Sequence, residues 1–171
     1  RVAVVRDPGP GMPAPDAPVA AAFEEGLAVL ARLGARLEDV ALPVPAADCF
    51  AATRIIGPVE SAAIHERELR EMPDRLGAAL RDKLLAGAAV RAVDYVQALR
   101  FRATVADAMG RLAARHDVIV TFGPLHLPPR LGVEPEMTRF TVDTMLTPFN
   151  LAAFPALSQP NGFSPDGLPT S

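Results

Sequence analysis

Ser61 and His65 stand four residues apart, a spacing that puts two side chains on one face of a helix, and a serine beside an imidazole is the minimum for a nucleophile and its base. A third group to orient the ring and a set of amides to hold an oxyanion are not evident around them. The pair therefore reads as a helix-surface serine next to an ordinary histidine. The remaining nucleophiles are few: Ser61, Ser158, Ser164 and Ser171 are the only serines, Lys83 the only lysine and Cys49 the only cysteine. A lysine acts as a base only where burial strips its charge. Lys83 follows Arg81-Asp82 on an amphipathic pattern, which predicts a solvated ammonium and a poor general base.

His65, His116 and His126 show no i, i+3 or i, i+4 pairing with one another, so the chain offers no converging ligand set for a metal. Gly9-Pro10-Gly11 follows an apolar run, but proline there limits the amide donors that a phosphate-cradling loop would use. No cofactor is implied. A buried cysteine usually behaves as a small hydrophobe, and Cys49 reads that way.

Positioning any such groups falls to an α/β scaffold. Val2-Ala3-Val4-Val5 predicts a buried strand. Val19, Phe23, Leu27 and Leu30 recur at helical spacing, with Asp16 and Pro18 at the start and Gly34 at the stop. Residues 35–42 predict a second strand, so the opening is a βαβ unit over a parallel sheet. From about 45 to 115 the pattern is helical with breaks. Gly57-Pro58 is expected to end or kink the first helix, and Pro58 and Pro73 suit first-turn positions. Leu76, Leu80 and Leu84 form one stripe closed by Gly87; Ala98, Phe101, Val105, Met109 and Leu112 form another on a helix starting near Val93. Residues 117–121 predict a third, central strand. A Pro-rich connection spans about 122–146, too weakly periodic to predict a helix, and long loops of this kind are commonly functional. A short helix from Pro148 to about Ala153 and a strand over 156–159 close the chain.

The 171 residues suit one domain and the 50% apolar content predicts a packed core. A net charge of −3 with scattered arginines argues against nucleic acid. No apolar run reaches membrane-spanning length. Mean hydropathy of +0.20 suggests an apolar contact face that meets another polypeptide, whether a partner or a second copy as a homodimer. A lone cysteine fits a reducing, cytoplasmic compartment. The absence of an initiator Met before a strand reads as an excised or truncated piece.

The closing run Thr147-Pro148-Phe149-Asn150-Leu151-Ala152-Ala153-Phe154-Pro155-Ala156-Leu157-Ser158-Gln159-Pro160-Asn161-Gly162-Phe163 resembles the C-terminal signature of the amidase signature family, the Ser-Ser-Lys amide hydrolases. Earlier segments resemble the same half in the same order: Val2 to Val5, the helix from Val19 to Gly34, Asp94-Tyr95-Val96-Gln97-Ala98 with Arg102, and Asp117 to Thr121. The resemblance implies a mixed, partly parallel α/β sheet with a βαβ unit and a helical insertion. It also implies a small-molecule amide substrate attacked by a serine to form an acyl-enzyme. In that family the activated serine, the relay serine and the lysine base belong to an N-terminal half, which these residues do not include, so the chain alone is expected to be inactive. Departures are Phe122-Gly123 in place of Pro-Thr after the strand, and Ala153 in place of a common glycine. Nothing after Phe50 resembles the Ser-Arg-Phe-Asp-Gly segment of the tRNA-dependent amidotransferases, so a general amidase fits better.

Within the Pro-rich segment, Phe122, Met137, Phe140 and Met145 are expected to line an apolar acyl pocket, with Arg139 and Asp143 orienting polar groups of the substrate. The resemblance bears on Asp143 in particular, because it stands seven before Asn150, where the amidotransferase relatives place a ligand-binding aspartate. A reading from a different class is a non-catalytic α/β interaction module.

Overall fold

The computed structural model describes residues 1–171. A run as apolar and β-branched as Val2-Ala3-Val4-Val5 is suited to burial on both faces. As strand β1 (Val2–Val5) all four residues are buried. Helix α1 (Ala17–Arg32) follows, turning Val19, Phe23 and Leu27 inward, and the chain returns as β2 (Leu37–Asp39). Both β2 and β3 (Val118–Thr121) pair parallel to β1, so the sheet order is β2-β1-β3.

The expected stop at Gly34 is observed with its mechanism. Gly34 takes φ +95°, its N–H donates to Ala31 O (3.0 Å), and the N–H of Ala35 donates to Leu30 O (3.0 Å). This Schellman arrangement satisfies carbonyls that the helix end leaves open, and glycine adopts the left-handed conformation without a Cβ clash.

Between β2 and β3 lies the helical section: α2 (Ala46–Ile64), α3 (Glu66–Glu71), a 3₁₀ turn at Pro73–Arg75, α4 (Ala78–Ala88) and α5 (Ala92–Ala113). Here the expected first-turn position of Pro58 is not observed. Helix α2 runs through Gly57-Pro58 without ending, and Pro58 lies in its interior rather than in a first turn. Proline removes one donor from the helix ladder, but the packing of α2 against α4, α5 and α7 holds the remaining turns in place. Pro73 does open its short turn. Of the stripe Leu76, Leu80 and Leu84, only Leu84 is fully buried; Leu80 is 37% exposed and Leu76 precedes the helix. Of the α5 stripe, Ala98, Val105, Met109 and Leu112 are buried and Phe101 is half-buried.

Two cores result. One joins β1 to α1 and includes Val4, Val5, Phe23, Phe122, Leu125 and Met145; the other joins α2, α5 and α7 (Thr147–Leu151) through Cys49, Ile56, Val105, Met109, Phe149 and Leu151. Burying a side chain of this size stabilises by about 1.5–3 kcal/mol.

The sheet corrects a further expectation. β1 is central and β3 is an edge strand whose Val118 is 53% exposed. An apolar run says nothing about whether both backbone edges are paired, and the other β3 side chains are only half-buried. Residues 156–159 form no strand: Pro155 and Pro160 flank them and lack donors, and the segment is exposed. Instead β4 (Gly162–Phe163) and β5 (Pro169–Thr170) form a small antiparallel ribbon. The Pro-rich connection is not wholly irregular, because it contains α6 (Glu134–Val142), with Pro135 in its first turn.

Candidate functional site

Beyond β3 the chain enters the core at Phe122, whose ring packs on Phe23 with centroids 4.1 Å apart. Residues 123–125 then run antiparallel to 143–145. Leu125 N–H donates to Asp143 O (2.9 Å), Met145 N–H donates to Gly123 O (3.0 Å), and Pro124 bridges Thr144. This neck closes the excursion that carries α6. Its tip is drawn to the start of α1, where Asp16 N–H donates to Leu125 O (2.8 Å).

His126 sits at that junction, 8% exposed, between two carboxylates. Its Nε2 lies 2.8 Å from Asp143 Oδ2, and its Nδ1 lies 3.1 Å from Asp16 Oδ1 and 2.9 Å from Nη2 of Arg139. The same Arg139 nitrogen is 3.9 Å from Asp16 Oδ1, while Asp16 Oδ2 accepts from Leu127 N–H at 3.1 Å. With one ring proton, Nε2–H donates to Asp143 and Nδ1 accepts from Arg139; with two, the ring donates to both carboxylates. Partial burial pushes Asp16 upward, but the hydrogen bonds from His126 and Leu127, aided by the charge of Arg139, outweigh it and hold the carboxyl below its ordinary value. Asp16 was expected as a helix start, and it is one, but its side chain makes no cap bond to α1 because it is turned to His126 and Leu127.

A cleft of about 40 Å³ opens beside the ring, lined by Val19, Pro124, Phe140, Thr170 and Ser171. Ser171 does not make a nucleophile pair with His126, since both ring nitrogens are already engaged by Asp143, Asp16 and Arg139. A second hollow, of about 200 Å³, lies between α2, α5 and α7 beside Thr53, Glu60, Arg102 and Asn150. There Arg102 Nε donates to Leu151 O (3.1 Å), holding a carbonyl at the end of α7.

Of the residues expected to contact substrate, Phe140 lines the His126 cleft, while Arg139 and Asp143 contact the His126 ring without lining the cleft. Met137 is half-buried on α6 and does not line it. Phe122 and Met145 are core residues, 4% and 0% exposed, and do not line the cleft. Sequence reasoning did not assign His126 a site role, because its partners come from distant parts of the chain and no local spacing marks them. The other candidate chemistry is not assembled. Ser61 Oγ donates to Gly57 O (2.7 Å), Lys83 is exposed, and buried Ser164 accepts from Leu168 N–H (3.1 Å).

A family model described as Amidase matches residues 1–171. The chain belongs to the amidase family. An amidase of Pseudomonas putida is 33% identical over 162 residues, covering 90% of this chain and 34% of the relative. A glutamyl-tRNA(Gln) amidotransferase component of Thermotoga maritima is 28% identical over 165 residues, covering 83% of this chain and 35% of that relative. Among solved structures, a bacterial aryl acylamidase of the amidase signature enzymes superposes with a TM-score of 0.79 at 18% identity, over 99% of this chain and 38% of that one. This amidase-family chain thus spans about a third of the length of the curated relatives it matches. No helix in it is long and apolar enough to cross a membrane.

Proposed function

We propose that these residues form one α/β unit of an enzyme that hydrolyses a carboxylic amide to an acid and ammonia or an amine. The observation that carries this reading is the family match across the whole of residues 1–171, supported by the P. putida amidase at 33% identity. In this reading the reaction runs through a serine acyl-enzyme, and the nucleophile and base belong to a portion of the protein outside these residues. Ser61 and Ser164 are tied to backbone groups and Lys83 is solvated, which supports that division. An activated serine needs a base within hydrogen-bond reach, and amides aimed at the developing oxyanion.

The contribution of this chain is a wall of the substrate site. Arg139 offers a partly exposed guanidinium, Phe140 an apolar face, and Asp143 a carboxylate whose Oδ1 makes no hydrogen bond within the chain. Such groups orient an amide without touching the bond that breaks. A serine-directed fluorophosphonate tests the reading: the 171 residues alone should stay unlabelled, and a protein extended upstream should be labelled and should release ammonia or amine from simple amides. Labelling of the 171-residue form would overturn the assignment of the nucleophile.

A further inference from the structure

We propose that His126 is a positioning residue, an imidazole clamp that sets α6 and the neck residue Asp143 against the start of α1 and so fixes the substrate-facing groups Arg139, Phe140 and Asp143; this rests on the amide-hydrolase reading above. The observation that singles it out is a lack of packing. Helix α6 carries no fully buried side chain, and its Met137 and Phe140 are only half-buried, so apolar burial holds it weakly. Apart from a longer ion pair of Arg139 with Asp16 at 3.9 Å, its polar side-chain ties to the body of the protein run through His126. The ring meets Arg139 on α6, Asp143 immediately after it, and Asp16 at the start of α1, while being 8% exposed itself. Backbone bonds reinforce the same junction, with Asp16 N–H on Leu125 O and Leu125 N–H on Asp143 O.

Because the clamp touches residues that orient substrate and none that break the bond, its loss should act on binding. In the intact protein, His126→Phe keeps a ring of similar bulk and removes both nitrogens. It should raise KM for amide substrates about tenfold with kcat within about threefold of the parent, the pattern of lost uniform binding. His126→Gln, whose amide N–H reaches toward the Nε2 position and keeps the tie to Asp143, should recover most of that loss; His126→Asn, which is too short to reach it, should not. A readout independent of activity is amide hydrogen exchange. Leu125, Asp143 and Met145 should exchange about tenfold faster in His126→Phe, while the amides of α5 keep their rates.

Exchange at those three positions within about twofold of the parent, equal acceleration across α5, or a loss confined to kcat would each overturn the proposal. Where His126→Phe does not accumulate as folded protein, the same readings on Gln and Asn decide it, and equal behaviour of the two overturns it. If the parent protein hydrolyses no amide, the enzymatic reading fails, and the exchange pattern still decides whether His126 clamps the neck.

Discussion

Gly87 of α4 approaches the carbonyl of Pro58 in α2 so closely that a Cβ added to it would lie 2.1 Å from the oxygen and 2.4 Å from the carbon. Both obstructing atoms are backbone, so no side-chain rotation relieves the clash. The two helices can sit together only with glycine at 87. Gly87→Ala must therefore push α4 away and should lower unfolding stability by about 2 kcal/mol, within the range of overpacked sites. Urea unfolding of the two forms measures it, and a loss below about 0.5 kcal/mol would show that α4 moves freely over α2.

The ends of α1 and α7 carry the same motif built from different residues. At α7, Ala153 N–H donates to Asn150 O (3.1 Å) and Phe154 N–H to Phe149 O (3.0 Å), matching the bonds around Gly34, but Ala153 holds φ +57° with a Cβ in place. A left-handed alanine costs about 1–2 kcal/mol, partly offset by the extra freedom glycine has in the unfolded chain. Ala153→Gly should then stabilise by about 0.5–1 kcal/mol and Gly34→Ala should destabilise by a similar amount. Thermal melts of both variants check the opposite signs. Shifts of the same sign would mean that φ is not what governs these positions.

How much was legible in the sequence follows from where each signal lives. Val2 to Val5, the α1 stripe and Gly34 are local signals, and the structure places each as expected. Ala153 was recognisable as a departure, though only its φ shows why glycine is the better residue there. The edge position of β3 and the passage of α2 through Pro58 depend on neighbours distant in sequence, so periodicity could not reveal them. The site divides the same way. Arg139, Phe140 and Asp143 could be named together because they share a segment, whereas His126 and Asp16 meet only through the fold. Phe122 and Met145 were read as pocket residues from their apolar type, which equally describes a core.

Glu136 gives a direct pH test. The Arg130 side chain and its backbone N–H hold the Glu136 carboxyl at about 2 against an ordinary 4.5, and Asp16 is lowered as well. A depressed folded value means that the unfolded chain takes up its proton first as pH falls. The stability these groups lend is therefore complete above about pH 4.5 and is lost as pH drops towards about 2. Carboxyl carbon NMR should show Glu136 titrating near the low end of that window, and Arg130→Leu, which keeps the backbone N–H, should raise it part of the way to the ordinary range. An unchanged midpoint in Arg130→Leu would reject the pairing.

Cys49 makes the opposite prediction at alkaline pH. It lies fully buried in the core between α2, α5 and α7, and desolvation, with Asp48 nearby, pushes its thiol from an ordinary 9.0 up to about 11. Reactive thiols need thiolate and access, and this one has neither. An aromatic disulfide reagent at pH 8 should leave the folded protein unmodified and should react stoichiometrically once urea unfolds it. Because the folded value is raised, the unfolded chain loses its proton first as pH rises. The contribution of Cys49 is thus fully present below about pH 9 and declines towards about pH 11. Cys49→Ala removes that alkaline limb while opening a small cavity, so its stability should be lower at pH 7 and flatter between pH 9 and 11 than that of the parent. Labelling of the folded form at pH 8 as fast as that of the unfolded form would show that this core opens readily.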